Sequence, residues 1–291
     1  MSKIVCFVPT YSPVDEAVRN GISTRPFTRL PQNEILARLQ NSHGRDKPWM
    51  YMDAIDSIKN VRPDIQLVVA DAKSTESIRA GLSSHHMQAG GYILEFYNDR
   101  QSQWKLFNDV YKAHEDCDYF VYSSSDVIWP ADWVAEATKE FEKNPKLQIL
   151  FPLVSCGDGN IPCQVAKGPR DEDPIPPPYD PHGKAPVLNA YVMIFRMDFL
   201  RAYGGYPNVF RNCFTESFLA YMCQAIGGEM RLLPRGWCWH WSLGDKWEEN
   251  GSHYYFNQEH ALFQTIINSV QMAQGAGTLT KEVLRKKLYK A

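Results

Sequence analysis

Four places along the chain carry residue types able to do chemistry. In Val69-Ala70-Asp71-Ala72-Lys73-Ser74-Thr75 a carboxylate follows an apolar run. It sits at the carboxyl end of a predicted strand, where open α/β sheets bind ligands. Asp71 there either accepts a hydrogen bond from a base or ribose, or caps the helix that follows. Tyr119 to Pro130 ends an apolar strand in Ser123-Ser124-Ser125 and Asp126. A lone carboxylate in that position suits a divalent cation and its phosphate oxygens, and it equally suits a turn. Tyr203-Gly204-Gly205-Tyr206 precedes Cys213-Phe214-Thr215-Glu216-Ser217-Phe218. The glycines allow close backbone approach to a ligand, and Glu216 is either a base toward a hydroxyl or an ordinary acidic first turn. Trp237-Cys238-Trp239-His240-Trp241 wedges an imidazole among indoles, as a metal ligand or a core histidine.

The elements that must position these groups read as α/β. Short β-branched or aromatic runs predict strands at Ile4 to Pro9, Ile65 to Ala70, Tyr92 to Tyr97, Tyr119 to Ser123 and Leu147 to Leu153. Between them, amphipathic stretches predict helices near Trp49 to Lys59, Ser74 to Leu82, Gln103 to His114 and Trp133 to Lys143, the last capped by Asp132. A short helix is expected around Asn33 to Leu39 inside an irregular stretch from Tyr11 to Arg45. Beyond Ala185 come a strand at Tyr191 to Phe195, a helix at Thr215 to Ile226 stopped by Gly227-Gly228, and a strand at Met230 to Leu233. An aromatic segment spans Pro234 to Trp247, and a helical tail from Tyr254 is broken at Gly275 and Gly277. Residues 157–185 are dense in Pro, Gly and Asp, which predicts a site-covering loop or a disordered insertion.

Composition bounds the function. The 291 residues are 44% hydrophobic and 22% charged, with a formal charge of -2, so no global basic field draws the chain to nucleic acid or an anionic membrane. The start, Met-Ser-Lys-Ile-Val-Cys-Phe-Val, gives no secretory signal, and no stretch reaches the length of a bilayer span. Seven scattered cysteines predict reduced thiols in a cytoplasmic protein rather than a zinc site. Thr280 to Tyr289 reads as a short helix bearing Lys281, Arg285, Lys286 and Lys287, with Lys290 just beyond. It is either a basic foot for an anionic acceptor such as DNA, a lipid-linked sugar or a membrane surface, or a solvated helix packed on the domain.

Taken in order, Val8-Pro9-Thr10-Tyr11, Asp71, Ser124-Ser125-Asp126, Gly204-Gly205, Thr215-Glu216-Ser217, Gly227-Gly228 and His240 resemble the nucleotide-sugar glycosyltransferases of the GT-A fold, family-2 type. Gly204 to His240 is also similar to the corresponding part of polypeptide N-acetylgalactosaminyltransferases. The resemblance implies a Rossmann-like, mixed and mostly parallel sheet flanked by helices, as one domain over 1–250 with 157–185 as an acceptor-side loop and 251–291 as a helical extension. It implies that Pro9, Thr10, Tyr11 and Asp71 floor the nucleotide, UDP in the family pattern, with Lys105, Asn108 and Ser124 on the donor. Asp126 matches the last aspartate of the family's Asp-x-Asp motif and, with His240, would hold Mn²⁺ or Mg²⁺; Glu216 would be the base. Ser124 stands where the family's first aspartate is and Ser217 where its second acid is, so either Glu216 is the base or transfer proceeds with retention.

The expected activity is transfer of a sugar from a nucleoside diphosphate to a hydroxyl of a glycan, a protein or a modified DNA base. The rivals are an inactive carbohydrate- or nucleotide-binding module and a nucleotidyltransferase. The latter needs a Gly-rich basic loop after the first strand, where this chain has Pro9-Thr10-Tyr11-Ser12-Pro13.

Overall fold

The computed structural model describes residues 2–11, 27–41, 50–156, 191–210, 214–240 and 252–289. The 157–185 loop, Ser12, Pro13, Cys163, Cys213, Trp241, Trp247 and Lys290 lie outside the described residues, as does the side chain of Trp237. Eight described strands form one sheet: β1 (Ile4–Thr10), β2 (Gln66–Asp71), β3 (Ile93–Phe96), β4 (Tyr119–Ser123), β5 (Val127–Ile128), β6 (Leu147–Cys156), β7 (Val192–Arg196) and β8 (Glu229–His240). Their spatial order is β3-β2-β1-β4-β7-β6-β8-β5. The first four run parallel, β7 is antiparallel to β4 and β6, β8 is parallel to β6, and β5 is antiparallel to β8.

The continuous apolar run Ile4 to Val8 is what a parallel strand covered on both faces requires. Alternate residues then feed two cores. Val5 and Phe7 join Phe107, Tyr122 and Phe195 on one face, while Ile4, Cys6 and Val8 join Ile55, Ile58 and Phe141 on the other.

The flanking helices are α1 (Gln32–Asn41), α2 (Met50–Val61), α3 (Glu76–Ala89), α4 (Gln103–Ala113), α5 (Trp133–Lys143), α6 (Met197–Tyr203), α7 (Leu219–Ala225), α8 (Ser252–Gly275) and α9 (Lys281–Leu288). A 3-10 turn, Thr215–Phe218, leads into α7. Side-chain caps fix three starts: Ser102 accepts from Lys105 N, Asp132 from Ala135 N and Thr280 from Val283 N. Ile266, Val270, Leu284 and Leu288 of α8 and α9 belong to the same core as Phe7. No helix among the described residues is long and apolar enough to cross a membrane.

The expected helix from Thr215 to Ile226 is a 3-10 turn followed by α7, and two elements run well past their expected ends. The α3 helix runs past Leu82 to Ala89 because its last turns bury His85, whose imidazole lies 3.0 Å from both Asp56 Oδ1 and Tyr92 Oη. Strand β8 does not end at Leu233. Its pairing with β6 jumps from Phe151↔Leu232 to Leu153↔Trp237, a bulge that houses Pro234, and then continues to Cys156↔His240. A proline inside a paired strand is tolerated at such a bulge because no ladder hydrogen bond is asked of it.

Candidate active site

Asp126 and His240 are 114 positions apart and are brought together by register. Ser124 O accepts from Val127 N at 3.2 Å, closing a tight turn at the end of β4, and Ser124 N donates to Tyr191 O at 2.7 Å. The chain then enters the two-residue strand β5, whose Val127 pairs with His240 and whose Ile128 pairs with Trp239. His240 Nε2 consequently lies 3.1 Å from Asp126 Oδ2, and Ser124 Oγ donates to Asp126 Oδ1. The Tyr191 ring stacks on the imidazole at 3.9 Å. His240 is 5% exposed but the Asp126 side chain keeps 24% of its surface, so the carboxylate is the open member of the pair. Burial alone would raise the Asp126 pKa; the His240 charge and the hydrogen bonds from His240 and Ser124 outweigh it and hold the carboxyl below its usual range.

Glu216 lies in the 3-10 turn just after Phe214, which holds a left-handed φ of 67°. Burial pushes its carboxyl up to about 7. The two acids share surroundings. Burial first, then the charges of both Asp126 and Glu216, raise Tyr122, and the same causes push Tyr191 up to about 12. Ser217 is exposed and Glu216 half-buried, so the acid is the more enclosed member of the Glu216-Ser217 pair.

Near these acids lies an aromatic wall that the sequence did not announce. The Trp104 ring stacks on Tyr206 at 4.4 Å and tilts against Tyr122 at 5.5 Å. Trp104 Nε1, Tyr206 Oη and Thr215 Oγ1 are buried with no hydrogen-bond partner among the described residues. Orphaned buried donors are uncommon in folded proteins, and each costs about 1–3 kcal/mol while unpaired.

The remaining predicted residues are placed as follows. Pro9, Thr10 and Tyr11 end β1, with Thr10 opposite Asp71 in the ladder. Asp71 is fully buried: Thr10 Oγ1 donates to Oδ2 at 3.1 Å, Ser74 N donates to Oδ1 at 3.0 Å, and Arg79 Nε lies 3.1 Å from Oδ1. Its contacts are those of a turn-closing carboxylate before α3. The Asn108 amide clasps the backbone of Tyr206, donating to its carbonyl at 2.9 Å and accepting from its N–H at 2.6 Å. The exposed Lys105 ammonium pairs with Asp109 at 2.6 Å. Thus the structure gathers Ser124, Asp126 and His240, places Glu216 within electrostatic reach of the same phenols, and gives Asp71 and Asn108 contacts inside the protein.

A divalent ion needs donors of the right type and spacing. Adjacent corners of an octahedron with bonds of about 2.1 Å are about 3.0 Å apart, close to the 3.1 Å between Asp126 Oδ2 and His240 Nε2. Among the described residues no group of three or more His, Cys, Asp or Glu could enclose an ion. The spacing of the pair therefore matches two adjacent corners of such an ion's coordination shell, and no more than two.

No family model matches this chain, and no curated protein matches it by sequence. Solved structures match it in shape. The crystal structure of GalNAc-T7 with UDP, GalNAc and Mn²⁺ matches at a TM-score of 0.55 and 12% identity, over 82% of this chain and 43% of that one. A mannosyltransferase from Pyrobaculum calidifontis in complex with GDP-Man and Mn²⁺ matches at a TM-score of 0.54 and 16% identity, over 98% of this chain and 70% of that one. The chain thus spans under half the length of the GalNAc-T7 chain. The likeness is one of architecture, and its conclusion is that this chain adopts a GT-A-like glycosyltransferase fold.

Proposed function

We propose that the protein is a metal-dependent glycosyltransferase that moves a sugar from a nucleoside diphosphate, UDP being the first to test, to a hydroxyl acceptor. The observation that carries this reading is the Asp126–His240 pair at the mouth of the sheet, with Glu216 coupled to the same phenols. Asp126 Oδ2 and His240 Nε2 would hold the ion, which when bound neutralises charge on the leaving diphosphate. Ser124 and Tyr191 keep that pair oriented, one through the carboxylate and one across the imidazole face. In the transfer, the acceptor oxygen bonds to the anomeric carbon, the bond from that carbon to the diphosphate oxygen breaks, and its electron pair leaves with the diphosphate. Glu216 takes the acceptor proton, a task suited to a carboxyl poised near neutral pH. The donors of Trp104, Tyr206 and Thr215, which have no partner among the described residues, are of the kind that sugar hydroxyls satisfy.

The test is Asp126→Ala, followed by calorimetric titration with UDP, GDP and TDP with and without Mn²⁺ and by an assay of donor hydrolysis. We expect Mn²⁺-dependent nucleotide binding and hydrolysis in the parent, both lost in the variant, with the melting transition retained. Binding without turnover in the parent would instead make the chain a carbohydrate- or nucleotide-binding module.

A further inference from the structure

The C-terminal helices carry a charge that the proposed chemistry does not use. The 32 residues from His260 onward hold a net +4, whereas the 259 before them hold a net -6. In α9, Lys281, Arg285, Lys286 and Lys287 face the single acid Glu282, and Arg285 and Lys286 are exposed. From His260 to its end, α8 has no Asp, Glu, Lys or Arg at all. Its exposed positions include Gln264, Thr265, Asn268 and Gln271. Lys287 Nζ donates to Ser269 Oγ at 2.5 Å, a bond that ties the two helices together at that point.

This pair is fixed in place. Leu284 and Leu288 are fully buried, and Leu288 O accepts from Asn208 N and Val209 N at 3.1 and 3.0 Å. Tyr289 Oη donates to Gly205 O at 2.8 Å. The basic surface is therefore anchored to the Gly204-Gly205-Tyr206 turn, from which the chain leads on to Glu216.

We propose that α8 and α9 form a docking surface for nucleic acid, gripping it by its phosphates on the side of the molecule that leads to Glu216. The acceptor role of that docking rests on the glycosyltransferase reading above; the docking itself does not. Phosphate oxygens are bound by Lys and Arg together with Ser, Thr, Asn and Gln, which is the composition of this face. From His260 to its end α8 offers no carboxylate to repel a polyanion, and on α9 the single Glu282 is outnumbered by four basic residues, while the acidic remainder of the chain disfavours other orientations. A lipid surface would instead need a contiguous apolar stripe. Among the described side chains of α8 the exposed large apolar ones are Leu262 and Met272; ten positions separate them, about 15 Å along the axis, with amides and hydroxyls between.

The experiment is fluorescence anisotropy of a short labelled DNA duplex with the full chain, between about 50 and 200 mM salt. We compare the parent with Lys281→Gln/Arg285→Gln/Lys286→Gln and with a control neutralised on α5, Lys139→Gln/Lys143→Gln. We expect the parent and the control to bind alike. The triple variant should bind at least tenfold more weakly, with a log–log salt slope reduced by about three. Melting curves establish that all three proteins are folded. Equal binding by the triple variant, absence of binding by the parent at the lowest salt, or capture of phosphatidylserine vesicles in place of DNA would each overturn the inference. Donor hydrolysis, measured alongside without DNA, should be the same in all three, so failure of the docking surface is separable from failure of the enzymatic reading.

Discussion

Glu216 is an acid whose surroundings penalise its charge, and this sets two pH dependences of opposite sense. Its carboxyl is raised from 4.5 to about 7, so the folded chain holds that proton more tightly than the unfolded one across this window. Stability contributed by this group is present below the lower value, declines as pH rises through the window, and then levels off. The rate moves the other way: a base must be deprotonated, so kcat/KM should climb as pH rises through about 7. Glu216→Gln should abolish that limb of the pH–rate profile and flatten the corresponding slope in denaturant midpoints. An unchanged limb in the variant would remove Glu216 from the chemistry. Tyr206 gives a second residue-scale test. Its hydroxyl is buried without a partner among the described residues, so Tyr206→Phe should stabilise the unliganded protein by up to about 1 kcal/mol, read as a higher melting temperature. The same change should raise KM for a sugar substrate several-fold. At this scale the sequence was partly legible. Asp126, Glu216 and His240 stand at positions where the order of short motifs drew attention, but Tyr191, Trp104 and Tyr206 look in sequence like any aromatic residue of a core. Only the ring contacts and the orphaned donors distinguish them.

The elements show why some polar residues are where they are. Gly205 has φ +120°, and a Cβ there would lie 2.3 Å from Asn108 Oδ1. Gly205→Ala should cost about 1–3 kcal/mol from backbone strain alone, with the clash added, read as a lower denaturation midpoint. Asn108→Ala removes both bonds to the Tyr206 backbone and should cost about 1–3 kcal/mol for groups left unpaired. If Asn108 met the donor instead, its loss would raise the donor KM while leaving the midpoint alone. Asp71→Ala separates its two readings in the same way: a buried turn carboxylate loses stability, a base-binding one loses nucleotide affinity. We expect destabilisation on the order of 2 kcal/mol, less than for a wholly buried pair because Arg79 is a quarter exposed. The parallel strands and the helices α4 and α5 were legible because their apolar runs and, for α5, the Asp132 cap are local signals. The second half of β8 was not, since Pro234 and the crowd of aromatics read as a loop until the bulge opposite Leu153 is seen. Strand β5, at two residues, is too short to leave a periodic trace.

At the scale of the whole molecule, the alternation of strands and helices conveyed the α/β class, whereas the strand order did not follow from it. Placing β7 between β4 and β6 is a long-range choice made by packing, with Phe195 in contact with Phe107 and Tyr206. The basic tail was visible as a charge run, but its attachment was not: Leu284 and Leu288 sit among Phe199, Tyr203 and Met222 in the main core. Leu284→Ala should therefore cost about 2–5 kcal/mol and lower the melting temperature of the entire protein, where a loose appendage would leave it unmoved. One last consequence comes from the pairing of Val127 with His240. On the ribosome, the loop bearing Asp126 emerges long before its imidazole partner has been translated, so nascent chains arrested short of β8 have half a grip and no imidazole to complete it. Stop codons introduced anywhere upstream of His240 should yield products without Mn²⁺-dependent nucleotide affinity, however much of the parallel sheet they have already built.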